Sequence, residues 1–290
     1  MNWKYIFLMT ILCALKGEVY AMNDWTIGIG GNGGAFFYAQ PGELCIELEK
    51  CDLNMRSRKT DLRAVLFAPD RQVVQEITIP DDGQSADSGI GPAQTIELSA
   101  TVTRAGIYGL MIMVSSDRYG EDFRWRFRTN CDKYLIETSR GHKDAVHQEP
   151  IVFLEPDKAG MLCFLPRPTA FEMDIANLPP NVSSIKVTSA SGEDITTIPV
   201  EDGTASHQFE TNDRGEVPWQ LHVPKAEATI HIDGVTRWAT HDRYPDLSLW
   251  TPHPTSWFDL HANRWLLTPY NRTIYGQAGE EKSLAYQIHN

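Results

Sequence analysis

Alternation with a period of two is the feature that most restricts this chain. In "FRWRFR" the residues Phe123, Trp125 and Phe127 fall on one face, and Arg124, Arg126 and Arg128 on the other. "WQLHV" sets Trp219, Leu221 and Val223 on one side, and "ATIHID" does the same with Ala228, Ile230 and Ile232. "YGLMIMV", from Tyr108 to Val114, is apolar on both faces, as a central strand would be. Side chains that alternate in this way belong to strands, because successive Cβ atoms point to opposite faces of a sheet. Helical spacing is almost absent. Turn signals separate the runs: Pro69-Asp70, Asp82-Gly83, Ser191-Gly192, Asp202-Gly203 and Asp233-Gly234. Short strands with regular turns predict an all-β fold of the sandwich or jelly-roll type.

The chain also repeats itself. "PGELCIELEKCDL" from Pro41 lines up with "AGMLCFLPRPTAF" from Ala159, so that Gly42, Leu44 and Cys45 match Gly160, Leu162 and Cys163. "VLFAPDRQVVQEITIPDDG" resembles "VTSASGEDITTIPVEDG", and "TVTRAGIYGLMIMV" resembles "ETNDRGEVPWQLHV". Each unit closes on an aromatic strand. The expectation is two tandem β-sandwiches, over residues 22–138 and 156–240, joined by a linker at 139–155. An aromatic, Pro-rich segment follows at 241–290. Within it "YGQAGE" from Tyr275 matches "YAQPGE" from Tyr38. The single strand after it either opens a third unit or completes the sheet of another, and the first alternative makes the chain the front of a longer protein.

Residues 1–21 read as a signal peptide. Lys4 supplies the positive end, "YIFLMTILCAL" the apolar core, and "VYA" a cleavage site after Ala21. No later run is long and apolar enough to span a bilayer. The expected location is therefore secreted, periplasmic or at the cell surface. In that setting Cys45, Cys51, Cys131 and Cys163 could form two disulfides in any of three connectivities, or remain buried thiols. A formal net charge of -12 argues against nucleic acid as a partner, because that requires clustered Lys and Arg.

The run "TDLRAVLFAPDRQVV" followed by "TRAGIYGLMIMV" resembles the bacterial pre-peptidase C-terminal type of β-sandwich. The counterparts of its motifs are Asp61, Pro69-Asp70 and Ala105-Gly106-Ile107-Tyr108. The resemblance covers residues 41–128 and, more faintly, 159–238. It implies an accessory module of a secreted enzyme. Arg63 stands where that family often carries a second acid, so the resemblance does not carry a calcium role to this strand.

Several constellations are candidates for chemistry. "GIGGNG", from Gly28 to Gly33, matches GxGxxG but lacks the strand-turn-helix frame of a dinucleotide site. It suits a flexible leader, or a turn packed closely against an aromatic. His142, Asp144, His147 and Glu149 have the residue types of a zinc or acid-base site, or of a polar linker. Asp81, Asp82 and Asp87 share an oxygen-rich loop that either binds calcium or is an ordinary hairpin loop. Arg124, Arg126 and Arg128 suit an acidic glycan or an acidic domain, or cross-strand pairing with Glu47, Glu49 or Asp52. Trp250, Trp257 and Trp265 could stack on sugar rings, or pack as an extended strap across another domain. No nucleophile elbow, P-loop or zincin signature is present, which argues against a catalytic site in these residues without excluding a pair of carboxylates of the glycosidase kind, and no cofactor is expected apart from calcium or zinc at the clusters above. The function class expected is an accessory protein that binds a polysaccharide or protein surface or acts as a spacer. The alternative is the non-catalytic N-terminal part of a larger secreted hydrolase or polysaccharide lyase.

Overall fold

The computed structural model describes residues 21–114, 122–137, 147–148, 150–152, 159–210, 217–238, 249–260, 266–268, 275–285 and 287–289. The described residues are all-β, with one short 3-10 turn at Pro254–Ser256. The first half contributes β1 (Gly33–Ala39), β2 (Gly42–Asp52), β3 (Leu62–Phe67), β4 (Val73–Ile79), β5 (Gln94–Val102), β6 (Gly106–Val114), β7 (Phe123–Thr129) and β8 (Tyr134–Glu137). The second contributes β9 (His147–Gln148), β10 (Ile151–Val152), β11 (Gly160–Phe164), β12 (Phe171–Ala176), β13 (Ser184–Ser189), β14 (Asp194–Pro199), β15 (Ala205–Phe209), β16 (Trp219–Val223), β17 (Thr229–Ile232) and β18 (Arg237–Trp238). The C-terminal segment adds β19 (Leu249–Thr251), β20 (Leu266–Thr268) and β21 (Gln287–His289).

One ten-stranded antiparallel sheet runs through both halves in the order β14-β13-β16-β11-β19-β8-β1-β6-β3-β4. It is faced in the first half by β5-β2-β7 and in the second by β10-β17-β12-β15. The order is palindromic about the β19–β8 junction. Reading outward from it, β8, β1, β6, β3 and β4 correspond to β19, β11, β16, β13 and β14. In the facing sheets β5, β2 and β7 correspond to β15, β12 and β17. The repeat expected from the sequence is thus present as topology, with one correction. "PGELCIELEK" forms β2 in a facing sheet, whereas "AGMLCF" forms β11 in the shared sheet, whose topological counterpart is β1. The small Gly-Leu-Cys match aligned strands one position apart in the repeat. The other matches, β3-turn-β4 with β13-turn-β14 and β6 with β16, fall on equivalent strands.

The alternating runs form strands because their apolar faces close on one another. Trp125 and Phe127 of β7 meet Phe37 of β1 and Tyr134 of β8, with Phe127 edge-on to both Phe37 and Tyr134 at 5.5 Å between ring centres. In the second half Phe171 stacks on Phe209 at 4.6 Å, beside Trp219. Burial of such rings is the main favourable contribution, at about 25 cal/mol per Å² of apolar surface.

The junction between the halves is made by the C-terminal segment. β19 pairs with β8 on one side (Leu249 opposite Glu137, Trp250 opposite Ile136) and with β11 on the other (Cys163 opposite Thr251, Phe164 opposite Trp250). Trp250 is completely buried in the core. Beyond it, Trp257, Phe258 and Leu260 cover an apolar patch of Phe36, Leu135 and Leu249 on the sheet's outer side. The Lys133 ammonium holds this strap by donating to the carbonyls of Thr255 (2.6 Å) and Trp257 (3.2 Å). β21 pairs with β20 in a separate two-stranded sheet.

The four cysteines among the described residues are free, and strand geometry explains why. Cys45 and Cys51 lie on one face of one strand, six residues apart, which at roughly 3.4 Å per residue exceeds disulfide reach. Cys131 belongs to the core on the other side of that sheet, and Cys163 is buried in the shared sheet, where burial pushes its thiol up to about 12.

Candidate functional site

Residues 23–29, just after the expected cleavage point, run along β7 as an irregular added strand. The amides of Asn23, Thr26 and Ile29 donate to the carbonyls of Thr129, Phe127 and Trp125, and Trp125 N–H returns a bond to Ile29. Three leader residues advance for every two of β7, and the Thr26 hydroxyl accepts from the Phe127 amide. Such bulged pairing re-aims side chains. The glycine run then passes over Trp125, whose indole N–H donates to Gly31 O at 3.0 Å. A Cβ on Gly33 would lie 2.8 Å from Glu137 O and 2.9 Å from the Trp125 ring. "GIGGNG" is therefore a turn packed against an aromatic, and its glycines serve close approach.

The irregular leader turns Trp25 over the outer face of β7. The guanidinium groups of Arg126 and Arg128 lie 5.2 Å and 4.9 Å from the centre of its ring. The same arginines are held from the other side by β2. Arg126 pairs with Glu49 at 2.6 Å and Arg128 with Glu47 at 2.6 Å, in the cross-strand register of the sheet. Arg124 lies opposite Cys51 and donates to Phe123 O at 3.2 Å. Arg126 and Arg128 thus make the cross-strand pairs that were one of the two uses open to them, with Glu47 and Glu49. Asp52 instead faces the core and takes Lys50 as its partner.

Beside this stack lies a cleft of about 480 Å³ at the junction of the two halves. Asp24, Trp25 and Ile27 of the leader and Arg126 of β7 form one wall. Gly160 and Met161 of β11 and His222 of β16 form the facing wall, and Pro252, His253 and Pro254 after β19 close the third side. The His222 ring nitrogen Nε2 shares a hydrogen bond with the Thr188 hydroxyl at 3.0 Å, which fixes the ring. His253 stands at the rim. The protein packed on its inner side pushes its pKa down, and the Asp24 carboxylate opposes that shift. The volume falls within the usual range of small-molecule sites, roughly 300–1,000 Å³. The walls combine an indole face, two imidazoles, a carboxylate and proline and methionine C–H surface.

The remaining sequence candidates fall elsewhere. Trp250 has no exposed ring face, because it lies in the core. Trp257 is half-buried in the strap. Trp265, His142, Asp144 and Glu149 lie outside the described residues, and of His147 only its backbone pairing opposite Trp238 is described. Among the described residues no three His, Cys, Asp or Glu side chains converge as metal ligands. In the acidic loop, the Asp81 carboxylate accepts from the amides of Thr60 (3.0 Å) and Gly83 (2.9 Å), and Asp82 accepts from Gln84 N and from Asn54 Nδ2. Burial raises the Asp81 pKa, but these bonds outweigh it and leave the carboxyl below its ordinary value. A buried cation lies at that end of the sandwich, the Lys50 ammonium, 2.8 Å from Asp52 and 2.9 Å from Pro80 O.

Sequence reading passed over Asp24, Trp25, His222 and His253. A signal existed for the first two, because Trp25, Ile27 and Ile29 alternate as in a strand. None existed for the others, because a cleft made by five distant stretches of chain leaves no local pattern. A scan against protein-family models and a search of curated proteins return no match for the chain. No helix among the described residues is long and apolar enough to cross a membrane.

Proposed function

We propose that this chain is an exported accessory protein that binds a glycan in the junction cleft and performs no chemistry on it. The observation that carries this reading is the cleft itself, in which a half-buried indole, hydrogen-bonding side chains and C–H surface converge from five stretches of the chain. Sugar rings present apolar C–H faces and a rim of hydroxyls, and such a mixed wall complements both. Export rests on the amino-terminal "YIFLMTILCAL" and the "VYA" cleavage site. The accessory role accords with the resemblance to pre-peptidase C-terminal sandwiches.

Affinity electrophoresis of the mature chain through gels containing soluble polysaccharides tests this reading. Retardation in at least one gel is expected, and it should vanish in Ala159→Trp, which places an indole at the exposed mouth of the cleft. Unretarded migration in every gel, or retardation that Ala159→Trp leaves unchanged, would overturn it.

A further inference from the structure

We infer that the cleft selects an uncharged saccharide over an acidic one, and that Trp25 is the ring on which it stacks. This rests on the reading of the cleft as a binding site. From sequence alone the three arginines in "FRWRFR" suit either an acidic ligand or cross-strand pairing, and the geometry shows the pairing for two of them. Arg126, the cation in the cleft wall, pairs at 2.6 Å with Glu49, and its neighbour Arg128 pairs with Glu47. Their positive charge is matched one for one within the sheet. Asp24, from the leader, then adds a carboxylate to the wall with no lysine and no second arginine among the other lining residues, and the protein packed on His253 holds that imidazole toward its neutral form. A uronate or sulfate entering this space meets the Asp24 carboxylate and an arginine already committed to Glu49, and like-charge juxtaposition is an effective means of rejection. A hydroxyl pair meets a carboxylate acceptor instead.

The arginines have a different use here. Two guanidinium groups lie over one indole, at 5.2 Å and 4.9 Å, and each is itself fixed by a carboxylate. Trp25 sits on a flexible-looking stretch of sequence yet is held before any ligand arrives. A pre-oriented ring loses little rotamer entropy on binding, which favours affinity for a ligand that offers mainly C–H surface. Met161, Pro252 and Pro254 extend that apolar surface across the cleft.

Calorimetric titration of the mature chain separates the possibilities. The probes are neutral trisaccharides built from glucose (α- and β-linked), mannose, galactose, xylose and N-acetylglucosamine, together with trigalacturonate. At least one neutral trisaccharide should bind at least tenfold more tightly than trigalacturonate. Trp25→Ala should weaken that binding at least tenfold, with the circular dichroism of the fold unchanged. Asp24→Asn should narrow the discrimination against trigalacturonate while keeping neutral binding. Preferential binding of trigalacturonate by the native chain would overturn this inference and leave the cleft standing as a glycan site. Neutral binding that Trp25→Ala does not weaken would overturn the role of Trp25. No binding of any probe would overturn both readings.

Discussion

Replacing Lys50 by methionine should be among the most damaging single changes in the first half. The ammonium has no exposure, Asp52 has 1%, and the two are 2.8 Å apart. Asp52 also accepts from the Thr60 hydroxyl and, at 3.1 Å, from the Asp82 amide, so the pair organises the whole acidic loop. Removing one partner of a buried pair leaves an uncompensated charge, which costs about 3–5 kcal/mol. The two remaining hydrogen bonds to Asp52 place Lys50→Met at the lower end, about 3 kcal/mol. At roughly 2–4 °C per kcal/mol for chains of this size, the melting temperature should fall by about 6–12 °C. Urea unfolding followed by circular dichroism measures the loss directly, as a lower midpoint at unchanged slope. The double variant Lys50→Met with Asp52→Asn removes both charges and keeps an acceptor for the loop, so it should recover at least half of the loss. A single variant that costs under about 1 kcal/mol, or a double variant no better than the single, would refute the argument from buried charge.

Other consequences are equally measurable. Trp250→Ala should cost about 3–5 kcal/mol for a fully buried ring and weaken the β19 tie, so that calorimetry shows the two halves melting separately instead of together. His231 is pushed below the ordinary histidine pKa by burial and by Arg237, against the pull of Asp174 and Asp233. Its unfolded form therefore takes up a proton first, and stability should decline as pH falls below about 6.5. His231→Gln should flatten that slope in urea midpoints taken across pH, and an unchanged slope would contradict it. Thiol labelling of the mature native chain should modify Cys51 alone, and slowly, because burial and Glu49 raise its pKa. All four thiols should react in denaturant without reductant, and fewer would mean that disulfides form after all.

Much of the fold was legible because strand periodicity and turn chemistry are local. The "FRWRFR", "WQLHV" and "YGLMIMV" runs became β7, β16 and β6, and Pro69-Asp70 and Ser191-Gly192 became the tips of the β3–β4 and β13–β14 hairpins. The strap was legible as well, from aromatic and proline spacing at Trp250 to Phe258. Two features escaped for physical reasons. Strand pairing between distant segments decides which sheet a run joins, so a Gly-Leu-Cys match could not distinguish β2's partner in the repeat from β11. The fusion of the halves into one sheet depends on β19 inserting beside β8, a long-range event with no local signature. Lys50 was readable in principle. In "ELCIELEKCD" the core-facing series Leu44, Ile46, Leu48 continues into Lys50 and Asp52, two opposite charges where apolar residues were due. The cleft was least legible, because its chemistry is assembled from three strands, the leader and the segment after β19.

The proposed site is the junction cleft and not the aromatic strap. A crystal structure of the mature chain with the tightest-binding neutral trisaccharide tests it most directly. A pyranose ring lying flat against Trp25, between Asp24 and His253, is expected. Sugar bound instead along Tyr38 and Phe258, which pack 6.0 Å apart at the exposed edge of the strap, with no sugar in the cleft, would contradict it.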